Sequence, residues 1–387
     1  MKILVVFGTR PEAIKLFPVI HALKQDSRFS VVVCVTAQHR QMLDQVLQVA
    51  KIYPDVDLDV MRPGQTLPEV TTRILSTLDD VLEQVQPDRV LVQGDTTTAM
   101  AAALAAYYRQ IPVDHVEAGL RSQNIYSPWP EEVNRKIVSN IASLHFAPTP
   151  RAATTLIEET IPAERVVVTG NTVIDALLDI QSRIDEFQVE RRNIDNQLPD
   201  DGDTRRIILT TAHRRENFDG GMERIARALR QLASRDDVLV VLPVHPNPNV
   251  QRPMRELLHG HPNIRLLEPL EYVPFVYLLS RAYLVLTDSG GIQEEAPALG
   301  KPVLVMRDTT ERPEGIEAGT AILVGTDAKR ITAEATRLLH DQSRYEAMSL
   351  THNPFGDGRA SHRILEAIAK EARLSSEQEK EMLRYAS

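Results

Sequence analysis

Short runs of aliphatic and β-branched residues recur from one end of the chain to the other, separated by longer amphipathic stretches. The runs include "ILVVFG", "VVVCVT", "DRVLVQGD", "VDHVEAG" and "VVVTGN", then "RIILTTAH", "VLVVLPVH", "AYLVLTD" and "PVLVMRD". Between them lie helix-length segments such as "PEAIKLFPVIHALKQD" and "TTTAMAAALAAYYRQ". This alternation predicts parallel sheets covered by helices, an α/β fold. The strand ends are followed by polar loops. In parallel sheets those carboxyl ends are where ligands collect.

A chain of 387 residues is too long for one ordinary core and suits two domains. The strongest break in the pattern is "RIDEFQVERRNIDNQLPDDGDTRR", residues 183–206, which reads as an exposed insertion just after a junction near Gly170. Each half opens with its own apolar strand and polar loop, "ILVVFGTRPE" and "IILTTAHRRE". The expected architecture is two Rossmann-like, doubly wound domains facing a cleft. Residues 1–170 form the first and 171–359 the second, with a helical stretch at 360–387 left over.

Charge and composition narrow the function. A net charge of −9 argues against nucleic acid or an anionic membrane as the main partner, so an anionic ligand must be gripped by local cations. Cys34, the single cysteine, lies in an apolar run, reads as a buried thiol and excludes an internal disulfide. No segment is apolar enough for a bilayer, and the N-terminus lacks the pattern of a signal peptide. The expected compartment is the cytoplasm.

The loops carry the chemistry. "TDSGGIQEEAPALG" places Ser289, Gly290 and Gly291 at a helix start, where small side chains and backbone N–H groups suit a diphosphate. Glu294 and Glu295 follow, and one of them is positioned to read the hydroxyls of an attached ribose. In "GTRPEAIK", Pro11 and Glu12 suit a helix start, but Arg10 and Lys15 oppose its dipole and point to a bound anion. Asp95, Glu117 and the Glu131–Glu132 pair stand at strand or helix ends of one half, where singly each suits a structural role and together they suit acid–base work. The second half adds His213, Arg214, Arg215, Arg307 and Arg312. Neither a GxxxxGK[ST] loop nor a GxGxxG after the first strand is present.

Taken together, "GTRPEAIK", "QGDTTT", "VEAGLR", "PEEVNR", "AHRREN", "HPNP", "DSGGIQEEAP", "RDTTERPE" and "NPFGDGRAS" resemble, in order from residue 8 to about 362, the non-hydrolysing UDP-N-acetylglucosamine 2-epimerases of bacteria. The resemblance implies the glycosyltransferase-B type fold, with the last helix crossing back onto the first domain. It implies reversible conversion of UDP-GlcNAc to UDP-ManNAc without NAD, metal or other cofactor, by a homodimer. By motif, Asp95, Glu117, Glu131 and His213 are catalytic; Arg10, Lys15, Phe275, Ser289, Gly290, Gly291, Glu295 and Arg312 bind substrate, Glu295 at the ribose and Phe275 beside the uracil. The segments "TAQHRQML" and "RPGQTL" resemble those that implicate Gln38, His39, Gln41 and Gln65 in activation by a second UDP-GlcNAc, although Gly64 stands where regulated relatives can carry arginine. A hydrolysing epimerase, a retaining glycosyltransferase and a catalytically silent UDP-sugar sensor are the competing readings.

Overall fold

The structure is a computed structural model that describes residues 1–36, 40–62, 64–199 and 204–385, with side chains left out at 40, 41 and 374–385. The chain divides into two compact units, Met1–Ala176 with the segment from Gly356 onward, and Leu177–Phe355.

The first unit runs β1 (Lys2–Phe7), α1 (Arg10–Gln25), β2 (Ser30–Val35), α2 (Arg40–Val49), β3 (Val56–Asp57), α3 (Leu67–Val85), β4 (Arg89–Gln93), α4 (Thr97–Tyr108), β5 (Val113–Val116), α5 (Glu131–Ile141), β6 (Leu144–Ala147), α6 (Pro150–Glu158), β7 (Val166–Val168) and into α7 (Thr172–Ser182). Its strands form one parallel sheet in the order β3-β2-β1-β4-β5-β6-β7. Because β2 lies on one side of β1 and β4 on the other, the loops leaving β1 and β4 diverge, which opens a crevice at the carboxyl ends. The sheet is apolar on both faces: Ile3 to Phe7 are all fully buried.

In the second unit come α8 (Gln188–Asp195), β8 (Arg206–Thr211), α9 (Gly221–Ala233), β9 (Val238–Pro243), α10 (Pro248–Leu258), β10 (Ile264–Leu267), α11 (Tyr272–Arg281), β11 (Leu284–Thr287), α12 (Gly290–Ala298), β12 (Val303–Val305), α13 (Pro313–Ala318), β13 (Ala321–Leu323), α14 (Ala328–His340) and α15 (Gln342–Ser349). Its parallel sheet has the order β10-β9-β8-β11-β12-β13, with the reversal between β8 and β11. The final helix, α16 (Ala360–Tyr385), belongs to the first unit and packs on α1 through a face that buries Ile364 and Ile368.

Two parts differ from the sequence reading. Strands β3, β6, β10 and β13 are additional; they are two to four residues long. The stretch 183–206 is not wholly an exposed insertion, since it contains α8, which docks on α11. Ile194 is buried there, and the Asp195 carboxylate accepts hydrogen bonds from Tyr277 Oη at 2.8 Å and Arg281 Nη1 at 2.5 Å.

Candidate active site

In the first unit the polar residues gather around the β1–β4 crevice. Thr9 precedes α1 and Glu12 occupies its third position. The Glu12 carboxylate accepts from the amides of Gly8 (3.1 Å) and Thr9 (2.8 Å), from Thr9 Oγ1 (2.7 Å), and across the crevice from Thr96 Oγ1 (2.7 Å). One carboxylate therefore serves as the helix cap and ties the β1 loop to the β4 loop. Its burial pushes its pKa up, against the pull of those four donors.

Asp95 is not the cap of α4, as its place before that helix suggested. Thr96 is, accepting the Ala99 amide at 3.0 Å, which frees the Asp95 side chain to pair with Arg135 Nη2 at 2.5 Å. Arg135 sits one turn into α5 and is held by Glu132, a fully buried acid that also accepts the Ser122 amide at 3.0 Å. The neighbouring Glu131 opens α5, and its buried Oε2 has no hydrogen-bond partner among the described residues. Beneath these loops, the Nε2 of His115 lies 2.7 Å from the Gly94 carbonyl, and burial takes its imidazole down to about 3, so it is neutral.

Glu117 follows β5 with φ of +62°, and Gly119 continues the turn at φ +92°. A β-carbon on Gly119 would stand 2.2 Å from the Ala152 carbonyl oxygen, so only glycine fits. The turn aims the Glu117 carboxylate inward, where it receives Lys15 Nζ on both oxygens (2.7 and 2.6 Å), Asn171 Nδ2 on Oε1 (2.9 Å) and Gln93 Nε2 on Oε2. Arg10, at the start of α1, is half-buried, and no carboxylate among the described residues holds it.

The second unit repeats the plan. Asp288, fully buried after β11, accepts the amides of His213 (2.9 Å) and Arg214 (2.8 Å) and the Asn217 side chain (3.1 Å), tying the β8 loop to the β11 loop across its own switch point. His213 Nδ1 lies 3.3 Å from Asp288 Oδ1, and its ring stacks on His245 at 5.5 Å between centroids. Burial lowers the His213 pKa, Asp288 opposes that, and Arg214, His245 and Arg307 add to it.

Ser289 caps α12, but its amide already donates to Thr287 Oγ1 at 2.9 Å. The free N–H groups expected at three positions are thus reduced to Gly290 and Gly291, the first two helical residues, which have no intrahelical acceptor. The Arg214 guanidinium lies beside them, 3.6 Å from where a Gly290 β-carbon would be. Glu294 and Glu295 stand beyond the first turn of α12. Glu294 pairs with Arg312, and Glu295 accepts the Tyr272 hydroxyl at 3.3 Å. Phe275, on α11, is half-buried. Gln38 and His39 lie outside the described residues, as does the side chain of Gln41; Gln65 accepts the Arg62 amide through Oε1.

Lys15, Asp95, Glu117 and Glu131 thus belong to the first unit, and His213, Ser289, Gly290, Gly291, Glu295 and Arg312 to the second, each in a loop or in the helix that follows one. Sequence reasoning missed Gln93, Asn171, Arg135, Asp288 and Tyr272, which hold the others in place. Gln93, Asn171 and Asp288 stand at or just after strand ends, the same position that singled out Asp95 and Glu117.

These two Rossmann-like α/β domains, with polar loops at their switch points, have the fold of the glycosyltransferase-B type. The family model for UDP-N-acetylglucosamine 2-epimerase matches residues 21–369. The chain is 56% identical over 369 residues to the UDP-N-acetylglucosamine 2-epimerase of Yersinia pestis and 54% identical over 369 residues to that of Escherichia coli K12, in each case across 95% of this chain and 98% of the relative. The crystal structure of UDP-GlcNAc 2-epimerase from Neisseria meningitidis bound to UDP-GlcNAc superposes with a TM-score of 0.87 at 51% identity, covering 96% of this chain and all of that one. The chain belongs to the UDP-N-acetylglucosamine 2-epimerase family.

Proposed function

We propose that this protein interconverts UDP-GlcNAc and UDP-ManNAc by eliminating and re-adding UDP. The observation that carries the reading is the unequal partnering of three acids around one crevice. Inversion at C2 needs a proton acceptor on one face of the sugar and a donor on the other. Glu117 has both oxygens filled by donors, whereas among the described residues Glu131 keeps a buried oxygen without a partner and Asp95 has only one oxygen on Arg135. Glu131 and Asp95, each with an open oxygen, suit the two faces.

Direct removal of the C2 proton is unfavourable because the carbon bears an acetamido nitrogen and no carbonyl. Cleavage of the C1–O bond comes first: UDP leaves with the bonding pair, and the developing oxocarbenium makes the C2 proton acidic. Transfer of that proton to one carboxylate leaves the C1=C2 bond of 2-acetamidoglucal. The other acid then protonates C2 from the opposite face as the UDP oxygen returns to C1.

The departing diphosphate is met by the Gly290 and Gly291 amides, Arg214 and His213. The imidazole is neutral in the free site, and an arriving diphosphate raises its proton affinity, with Asp288 supporting the cation. Glu295, steadied by Tyr272, suits the ribose hydroxyls. Cytoplasmic homodimers supplying ManNAc-type precursors for surface polysaccharide fit this reading.

Positional isotope exchange tests the order of events. With oxygen-18 between C1 and the β-phosphorus, the account predicts migration of label into the non-bridging β-phosphate positions during turnover. Epimerisation without any migration would rule out C1–O cleavage.

A further inference from the structure

Two buried amides remain outside this chemistry. Gln93 closes β4 and Asn171 follows β7, with relative exposures of 3% and 2%, and both donate to the Glu117 carboxylate. A carboxylate offers about four lone-pair positions. Lys15 takes one on each oxygen, and the two amides take the others. Lysine has a long flexible stem and a charge that a diphosphate would draw away. The amides are short, neutral and anchored. Asn171 Oδ1 accepts the Val173 amide at 3.2 Å at the start of α7, so turning the amide over would lose both of its bonds at once.

We propose that Gln93 and Asn171 are positioning residues for Glu117, holding its carboxylate in one orientation when Lys15 turns to substrate. The proposal rests on the reading that Glu117 takes part in the reaction, as its motif implies, beside the two acids that face C2. Glu117 leaves its strand in the left-handed region, where its neighbours must fix the side chain. The two amides do this from two different strand ends.

Steady-state epimerisation by Asn171→Ser, Asn171→Asp and Gln93→Ala, with Glu117→Gln as reference, tests it. Serine and aspartate both cap a helix start well, so each preserves any purely structural role of Asn171 at α7. Serine is too short to reach Glu117, and aspartate faces it with a like charge. The expected result is a loss in kcat of about tenfold to a hundredfold for Asn171→Ser and Gln93→Ala, with KM changed less than about threefold. For Asn171→Asp, the acid-side limb of the kcat/KM profile moves to higher pH, because a second carboxylate disfavours the ionised pair. Parental kcat and pH profile in both Asn171 variants beside an inactive Glu117→Gln would overturn the proposal alone and leave Asn171 a helix cap. Parental turnover by Glu117→Gln would overturn the reading on which it rests.

Discussion

Glu117 adopts a backbone conformation that costs a non-glycine residue on the order of 1 kcal/mol or more. The molecule recovers that cost in a carboxylate saturated by Lys15, Gln93 and Asn171. Glu131 is the opposite case, a partly buried acid whose Oε2 is bonded to nothing among the described residues. Replacing it should be felt in turnover: Glu131→Gln is expected to lower kcat by about 10²–10⁴-fold, the range for a lost acid–base group, while UDP still binds. Near-parental turnover would remove Glu131 from the chemistry. The sequence shows that Asp95, Glu117 and Glu131 stand at element ends, but not which of them is paired. Their partners, Arg135, Lys15, Gln93 and Asn171, come from separate elements, and only folding brings them together.

At the scale of elements, the strands that could be read were mostly those within an apolar run that a polar loop follows. Strand β6 lies inside the sheet, yet it spells "LHFA", and its buried His145 breaks the apolar run; burial takes that imidazole down to about 4, so it packs as a neutral ring. Helix α8 was obscured for another reason. It has a single buried aliphatic residue, Ile194, and is fastened by Asp195 to Tyr277 and Arg281, polar contacts that leave no periodic trace.

Helix α16 shows a similar long-range dependence. Its first amides, Ala360 (3.1 Å) and Ser361 (2.8 Å), and the Ser361 hydroxyl all donate to Asp175, a carboxylate supplied by α7. Removing this cap by Asp175→Ala should cost about 1–2 kcal/mol, as for other lost caps. Amides 360–363 should then exchange with solvent about tenfold faster. Unchanged protection there would mean that the packing of Ile364 and Ile368 alone holds the helix start.

The whole molecule uses one device twice. In each sheet the strand order reverses next to the unit's first strand, and a buried carboxylate bridges the two loops at that point, Glu12 to Thr96 in one unit and Asp288 to the His213 loop in the other. Parallel order was legible because the central strands are apolar on both faces. The bridging was not, since Glu12 reads equally well as a simple helix cap. An acidic chain nevertheless sets Arg214 beside the α12 start, so any attraction for a diphosphate is local.

The account's central claim is that the C2 proton is given up and returned from the other side after UDP has left. Proton NMR of the protein with UDP-GlcNAc in deuterated water, with nothing else added, tests it most directly. The predicted result is an equilibrium of UDP-GlcNAc and UDP-ManNAc with deuterium at C2 of both sugars. UDP-ManNAc that keeps its original C2 proton, or free ManNAc and UDP accumulating together, would contradict the account.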